Sequence, residues 1–296
     1  SGVDGSALTG IVTDTSVIED NIAVLGFKMA SNNSLTRYNM VDQVIDEYQD
    51  ETGVTLTQAG LSTGYLSTIT SADGIDDYTR LMLHMDDTGL TDSATYSASP
   101  HTVTKNGSAT RSGTQSKFGN YSYLATAGTS DHLSIAAHSE LAYTTGAFTI
   151  DFWWMPTSLS GRQTLMAGAT DNRWVGLSYM GSGGKINLEV GGTWGSGGLA
   201  SPNGIKTNYA ANTWYHIAVV REASSSDPVK VYVDGVMDIS YAQGATPINC
   251  TDAMHIFGDW GGGYTWNPNG YMDEFRLSVG IARWTADFIP PTEAYS

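Results

Sequence analysis

The stretch from Asn212 to Gly235 constrains the fold of this chain most, because its side chains alternate with a period of two along two separate runs. The first run covers residues 215–220 and the second covers residues 229–234. The segment between them, 222–228, is polar and has no apolar periodicity, and Asp234-Gly235 is a dipeptide suited to a tight hairpin turn. The sequence therefore predicts an antiparallel strand pair inside a larger β-sheet.

The composition favours strands throughout the larger part of the chain. Of 296 residues, 34 are glycine and only 15% are charged, a combination typical of many short strands joined by tight turns. Hydrophobic residues reach 41% and aromatic residues 10%, which is enough for a sizeable core. The length suits one large β domain with an appendage, so we predict two domains.

The charge balance excludes some classes of partner. A formal net charge of -16 repels phosphate backbones and anionic membrane surfaces, so we predict neither nucleic acid nor membrane as a partner. The single Cys250 excludes an intrachain disulfide framework. No apolar run reaches the length of about 18 residues that a membrane span needs, and no secretory signal pattern opens the chain.

The first part of the chain predicts two short amphipathic helices. Ser16 and Glu19 fit a capping box, and an apolar stripe follows to Met29. A second stripe of helical period covers residues 40–51, with Asn39 placed to cap it. Such a small unit needs something to pack on. We predict that residues 1–76 form a docking or oligomerisation module with a linker, and the alternative is a helical extension that caps its own β domain.

From Tyr78 onward the pattern is that of strands. In the clearest one, residues 148–154, all four even-numbered side chains are large and apolar. The strand count predicts an antiparallel two-sheet sandwich over residues 77–296. The remaining predicted strands cover residues 81–86, 131–135, 165–167, 174–179, 185–190, 254–258 and 271–279.

Six short blocks follow one another in the β-rich part of the chain. They are LMLHMD at 81–86, FGNY at 118–121, FTIDFW at 148–153, NTWYHIA at 212–218, VYVDG at 231–235 and GYMDEFR at 270–276. Their order and spacing resemble the laminin G-like branch of the concanavalin A-like jelly rolls. The resemblance covers residues 77–296 and implies two curved antiparallel sheets, with a carbohydrate-binding or adhesive role in many relatives. It implies no single ligand.

The first 76 residues lie outside that resemblance. Segments 27–35 and 44–53 are similar to pieces of virion proteins of marine tailed bacteriophages that carry such sandwich domains. This second resemblance implies a virion structural protein, with other virion subunits and further copies of the same chain as partners.

Asp273 is the most informative polar residue in the sequence. Period two along residues 271–277 places it on one face with Tyr271, Phe275 and Leu277. If that face is the core, Asp273 is a buried carboxylate that must be paired, protonated or metal-bound.

A calcium site is one role for this carboxylate. The first and last strands of this fold are commonly neighbours, which would bring Asp86 or Asp87 close to Asp273 as oxygen ligands for Ca²⁺. Relatives usually have glycine where this chain has Asp87. The alternative is that Asp273 accepts backbone N–H bonds, or pairs with Arg276 or His84. A thermal melt that a chelator leaves unchanged would rule the calcium site out.

The glycine-rich loop of residues 258–270 predicts a carbohydrate-binding site. Flat aromatic faces stack on sugar rings, and neighbouring Asp or Asn side chains bind hydroxyls. Trp174 or Trp194 are further candidates for the same site. The alternatives are a satellite aromatic cluster under the loop or a subunit interface. The residues assigned to carbohydrate binding are Asp259, Trp260, Tyr264, Trp266 and Asn267.

Catalysis has little support in the sequence. The paired-Glu motifs of the hydrolase branch and the Gln-x-His motif of the lyase branch are missing, as are nucleophile elbows, phosphate loops and Cys/His zinc spacings. His216 is predicted to be a packed, hydrogen-bonded residue. We therefore predict a non-enzymatic protein of the virion surface or extracellular space that displays the sandwich for glycan or host adhesion. The rivals are a purely structural capsid or fibre decoration and a carbohydrate-active enzyme.

Overall fold

The computed structural model describes residues 74–96, 100–108, 110–126, 130–169, 175–190, 201–222, 227–242, 248, 252–258 and 266–296. The chain divides into two compact units, Ser1–Thr70 and Ser71–Ser296. The first unit lies outside the described residues, and so do the two predicted helices. The docking or oligomerisation module therefore stays a prediction.

Fourteen strands make up nearly all the regular structure of the described residues, together with one 3₁₀ turn at Ser139–Leu141. The strands are β1 (Thr79–Leu83), β2 (Val103–Asn106), β3 (Thr110–Ser112), β4 (Ser122–Ala125), β5 (His132–Ile135), β6 (Phe148–Pro156), β7 (Arg162–Gly168), β8 (Gly176–Met180), β9 (Lys185–Glu189), β10 (Tyr215–Arg221), β11 (Val229–Val233), β12 (Val236–Tyr241), β13 (Met254–Ile256) and β14 (Gly270–Val279).

The strands form two sheets. The eight-stranded sheet has the order β12-β11-β10-β6-β14-β4-β3, and β1 also pairs with β14. The six-stranded sheet has the order β2-β5-β13-β7-β8-β9. Every strand pair between the named elements is antiparallel. The predicted two-sheet antiparallel sandwich is therefore confirmed, and its strand order is consistent with a jelly roll.

The core lies between the two sheets, because side chains from both belong to one buried cluster. Phe152 and Trp154 of β6 and Phe275 of β14 meet Leu177 of β8 and Ile186 of β9, and all five are fully buried. Each such side chain stabilises the fold by about 1.5–3 kcal/mol relative to its exposed state. The even-numbered face of residues 148–154 thus points into the core, as its alternation predicts.

The hairpin predicted from residues 212–235 is present. Strand β10 pairs with β11 from Ile217↔Val233 to Arg221↔Val229. Asp234 and Gly235 both have positive φ, 51° and 77°, as a two-residue turn between β11 and β12 requires. The adjacent pairing of β1 with β14 also confirms that the first and last strands of the domain are neighbours.

The prediction that Asp273 shares a face with Phe275 and Leu277 is wrong. Strand β14 carries a bulge between Asp273 and Arg276, where Glu274 adopts φ 50°. One extra residue in the strand moves every side chain beyond it to the opposite face of the sheet. Phe275 and Leu277 consequently belong to the core cluster, whereas Asp273 lies on the outer face of the sheet and is buried there by other parts of the chain.

Four strands were missed by the sequence analysis, namely β2, β3, β4 and β12. They are short or lack apolar alternation. Strand β2 is Val-Thr-Lys-Asn with two exposed residues, and β12 begins with the exposed Val236 and Met237. Pairing with neighbouring strands holds them in the sheet, and a period of two along one strand cannot predict that.

Candidate functional site

The segment of residues 266–269, just before β14, is tied to the β6–β7 connection. The Trp266 carbonyl accepts a hydrogen bond from the Thr164 amide at 2.8 Å. The Asn269 amide donates to Oε1 of Gln163 at 3.0 Å, and its carbonyl accepts from the Thr157 amide at 2.8 Å. These bonds fix the backbone that carries Trp266 and Asn267, two of the residues assigned to carbohydrate binding.

The Trp266 side chain lies against Arg162 of β7. The guanidinium carbon is 4.0 Å from the centre of the indole ring, the geometry of a cation–π contact. Arg162 also donates to Oε1 of Glu189 at 2.6 Å and to Ser178 Oγ at 3.2 Å. One arginine therefore joins an aromatic ring, a carboxylate and a hydroxyl in a single polar cluster.

This cluster occupies the outer face of the six-stranded sheet. The neighbouring residues Leu177 and Leu188 point into the core, so the alternation of β8 and β9 directs Ser178 and Glu189 outward. Arg162 pairs with Met180 and thus shares the outward face. Burial raises the pKa of Glu189, whereas the Arg162 guanidinium favours its charged form and opposes that rise.

Asn267, the residue after Trp266 in the same segment, has an unusual side chain. Its side chain is only 3% exposed, yet neither the amide nitrogen nor the amide oxygen has a hydrogen-bond partner. An unpaired buried polar group is destabilising by roughly 1–3 kcal/mol. An amide can donate to one hydroxyl oxygen and accept from another, so this group matches the chemistry of a vicinal diol.

The other residues assigned to carbohydrate binding, Asp259, Trp260 and Tyr264, lie outside the described residues, as do Trp174 and Trp194. The structure instead adds Arg162, Ser178 and Glu189, which the sequence analysis missed. A lone arginine at the start of a strand gives no signal of its own, because its partners come from two later strands.

The three residues assigned to calcium are placed differently from one another. Oδ2 of Asp273 accepts the backbone amides of Lys117 and Phe118 at 2.7 and 3.2 Å. Oδ1 of Asp86 accepts the amides of Asn120 and Tyr121, both at 2.9 Å. The two carboxylates therefore hold opposite ends of one loop, residues 117–121. The backbone-acceptor alternative for Asp273 is thus the arrangement observed.

Asp87 is not brought to that loop. Its carboxylate accepts hydrogen bonds from the amide and the hydroxyl of Thr91 and closes the turn after β1.

Burial raises the pKa of Asp273 to about 8, and the nearby Glu274 carboxylate adds to the rise while the backbone N–H bonds oppose it. His84 pairs with Glu274 at 2.9 Å. The calcium site stays a prediction.

The outer face of the eight-stranded sheet carries a different buried network. Arg276 donates from Nε and Nη2 to the two oxygens of Asp151 at 3.0 and 3.2 Å, and the Tyr295 hydroxyl donates to the same carboxylate. His216 is fully buried, with Nε2 3.4 Å from the Tyr295 hydroxyl. His216 is therefore the packed residue that the sequence predicts.

Comparison with protein families gives one match. Residues 127–280, just over half of the 296, match a laminin G-type family described as the concanavalin A-like lectin/glucanases superfamily. The chain therefore belongs to this superfamily. A comparison with curated protein sequences found no match.

Solved structures of similar fold include carbohydrate-binding and receptor-binding proteins. One is domain 4 of an extracellular arabinanase from Geobacillus stearothermophilus in complex with arabinotriose, at 17% identity and a TM-score of 0.50, covering 69% of this chain and 93% of that domain. The binding domain of botulinum neurotoxin serotype G gives 16% identity and a TM-score of 0.51, covering 68% of this chain and 47% of that one.

Botulinum neurotoxin type C, which enters cells by a route dependent on interaction with two ganglioside molecules, gives 15% identity and a TM-score of 0.53. The match covers 70% of this chain and 49% of that one, so this chain spans about half the length of the toxin structures. At these identities the likeness concerns the fold alone.

Among the described residues, no helix is long and apolar enough to cross a membrane.

Proposed function

We propose that the sandwich is a non-enzymatic, lectin-like module that binds carbohydrate on the outer face of its six-stranded sheet. The observation that carries the proposal is the half-buried Trp266 ring against Arg162, with the unpaired amide of Asn267 at the next position of the same segment. Membership of the lectin/glucanases superfamily supports it. So do the arabinotriose bound to the arabinanase domain and the gangliosides that the toxin requires.

Each group of the cluster contributes a recognisable interaction. The half-buried Trp266 offers aromatic surface to the C–H groups of a sugar ring, and the Arg162 contact fixes the orientation of that surface. The Asn267 amide is 3% exposed, so it reaches hydroxyl groups only if the chain that covers it shifts. Hydrogen bonds already hold the backbone of residues 266–269, so binding at Trp266 costs little backbone entropy.

The finer proposal concerns where the module is displayed. We place it on a virion surface or in the extracellular space, joined to residues 1–76 as a docking or oligomerisation segment. The support is the resemblance of segments 27–35 and 44–53 to virion proteins and the strongly acidic balance of the chain. Light scattering on the full chain tests the assembly part, since a monomer at micromolar concentration would contradict self-association.

A glycan array tests the binding function. The full chain is compared with Trp266→Ala, Trp266→Phe and Tyr96→Ala on an array that includes arabinan and ganglioside oligosaccharides. Tyr96 is the matched control, because its exposed ring also lies on an arginine, Arg80, at 3.3 Å. Trp266→Ala should weaken binding about tenfold, equal to about 1.4 kcal/mol, while Trp266→Phe keeps part of it and Tyr96→Ala all of it.

Two results would overturn the proposal. Absence of binding by the wild-type chain to every glycan would favour a purely structural decoration. Equal binding by wild type and Trp266→Ala would move the site to another surface.

A further inference from the structure

A histidine cluster lies away from the proposed glycan site, at the edge where β2 and β5 meet. The two strands pair in antiparallel register, with Val103 opposite Ile135. Two residues outward from that pair, the register places His101 across from residue 137, so that His138 is its close neighbour. The sequence separation of 37 residues therefore disappears in the fold.

Three side chains converge at this edge. One ligand atom from each of His101, His138 and Glu140 lies within 4.8 Å of the others. Nε2 of His101 and Nδ1 of His138 are each 3.8 Å from Oε2 of Glu140. The two imidazole rings meet edge to face, with centroids 5.1 Å apart.

Two of the converging atoms are buried without a hydrogen-bond partner. They are Nε2 of His101 and Oε2 of Glu140. The His101 side chain is 7% exposed, so its unpaired nitrogen is shielded from water while aimed at the glutamate. At 3.8 Å the two atoms are too far apart for a hydrogen bond, although they are close enough for an electrostatic contact.

Asp92 fixes the orientation of His101. Nδ1 of His101 lies 2.8 Å from Oδ2 of Asp92. The same carboxylate accepts the backbone amides of Met82, Ala94 and His101, so it acts as an acceptor throughout. A carboxylate acceptor places the ring proton on Nδ1, which leaves the lone pair of the neutral ring on Nε2. Metal-binding histidines in proteins are commonly oriented by a carboxylate in this way.

We infer that His101, His138 and Glu140 bind Zn²⁺ through two imidazole nitrogens and one carboxylate oxygen. Zinc bonds of about 2.0–2.2 Å in tetrahedral geometry separate neighbouring ligand atoms by roughly 3.3 Å, so the two 3.8 Å separations need to close by about half an ångström, and the third lies within 4.8 Å. His138 is half exposed, and its Nδ1 accepts the Glu140 amide at 3.3 Å, a hydrogen bond that zinc would replace. Two imidazoles favour Zn²⁺ over Ca²⁺, which prefers six or more oxygens.

Zinc at this position would link two loops that are far apart in the sequence. His101 precedes β2, whereas His138 and Glu140 belong to the 3₁₀ turn whose Leu141 is buried in the core. Three protein ligands leave a fourth position for water. The metal would thus hold the exposed edge of the six-stranded sheet to the core, and glycan binding around Trp266 does not depend on it.

The test is zinc titration of the full, tag-free chain by calorimetry, with Co²⁺ as a spectroscopic probe of tetrahedral coordination. The variants are His138→Ala and Glu140→Gln, which remove a ligand from partly exposed positions and therefore should fold. The matched control is His132→Ala, because His132 forms the other close histidine pair, with its ring centroid 4.2 Å from that of His255. Urea unfolding of each variant without metal checks the fold.

We expect one zinc per chain and the visible absorption of tetrahedral Co²⁺. Both ligand variants should lower zinc affinity by more than about tenfold, and His132→Ala should leave it unchanged. No zinc binding by the wild type would overturn the inference, and would mean that His101 and Glu140 form only an ion pair. Loss of binding in His132→Ala with retention in His138→Ala would also overturn it, by moving the metal to the other pair.

Discussion

The two outer faces of the sandwich are covered in different ways. On the eight-stranded sheet, Trp284 and Phe288 of the C-terminal segment pack on Val220 and Tyr232, and their rings stack with centroids 4.1 Å apart. Both charges of the Asp151–Arg276 pair beneath that segment are matched, although Nδ1 of the adjoining His216 has no hydrogen-bond partner. On the six-stranded sheet, a similar arginine pairs with a carboxylate, yet a neighbouring amide is left without a partner.

The difference shows how one architecture separates stability from recognition. A buried ion pair is tolerated where its hydrogen bonds are complete, because desolvation is then offset. An incomplete polar site lowers stability, and such a site is retained most readily where a ligand completes it.

Removing one partner of the bidentate Asp151–Arg276 pair should have the largest effect. Asp151→Asn leaves the buried Arg276 guanidinium with a neutral partner, and we expect a loss of about 3–5 kcal/mol in the free energy of unfolding. Urea unfolding measures it. Glu222→Gln, which weakens the more exposed Lys230–Glu222 pair, is the control and should lose less than about 1 kcal/mol. Equal losses in the two variants would contradict the contrast.

The same network predicts acid sensitivity. Burial alone would raise the pKa of Asp151, but the charges of Arg276 and His216 outweigh it and lower the pKa from 3.8 to about 2. A folded-state pKa below the unfolded one gives stability that is present above pH 3.8 and is lost as pH falls towards 2. Its size is about 2 kcal/mol. Urea midpoints between pH 5 and 2 should fall more for wild type than for Asp151→Asn, and parallel curves would contradict this.

The loop of residues 117–121, which Asp86 and Asp273 hold, should keep its conformation only with glycine at position 119. Gly119 has φ 58°, and a Cβ there would clash with the Asp86 carboxylate. We expect Gly119→Ala to destabilise the fold by about 1–3 kcal/mol. Gly146→Ala is the control, since its Cβ would meet nothing within 4 Å. Thermal melts compare them, and an unchanged midpoint in Gly119→Ala would mean that the loop is free to shift.

The incomplete site should show the smallest stability change and a clear functional one. Arg162→Lys keeps a charge opposite Glu189 but loses the guanidinium contact with the Trp266 ring. Because the charge is kept, we expect a change in unfolding free energy of about 1 kcal/mol, well below that of Asp151→Asn, and a several-fold loss of glycan affinity. Arg80→Lys, the equivalent change under Tyr96, should leave glycan affinity intact. A large stability loss in Arg162→Lys would give the cluster a structural role instead.

The sequence predicted those parts of the fold that depend on local periodicity and turn chemistry. The β10–β11 pair, the turn at Asp234-Gly235 and the inward face of β6 all follow from a few consecutive residues. The bulge at Glu274 could not be predicted, because its positive φ depends on how β14 pairs with β6 and β1. A period of two assumes an unbroken strand, so the prediction of the sheet face on which Asp273 lies was wrong.

In the candidate sites, too, residues close in sequence could be predicted together, whereas residues that only strand pairing brings together could not. Trp266 and Asn267 were predicted as sugar-binding residues because aromatic and amide residues cluster in one loop, and that role stays a prediction. Arg162 and Glu189 come from separate strands, and only the register of β7, β8 and β9 joins them. His138 and Glu140 lie two residues apart in sequence, but their connection to His101 depends on the β2–β5 pairing. Long-range register is the information that a single sequence lacks.

Glycan binding by the six-stranded sheet is tested most directly by hydrogen–deuterium exchange of the full chain with and without a saturating concentration of the strongest array glycan. We predict slower exchange in residues 158–169, 176–190 and 266–269, with the C-terminal segment 281–296 unchanged. Protection confined to residues 281–296 or to strands β10–β12 would show that the sugar binds the other side of the sandwich. That result would contradict the assignment of recognition to the six-stranded sheet.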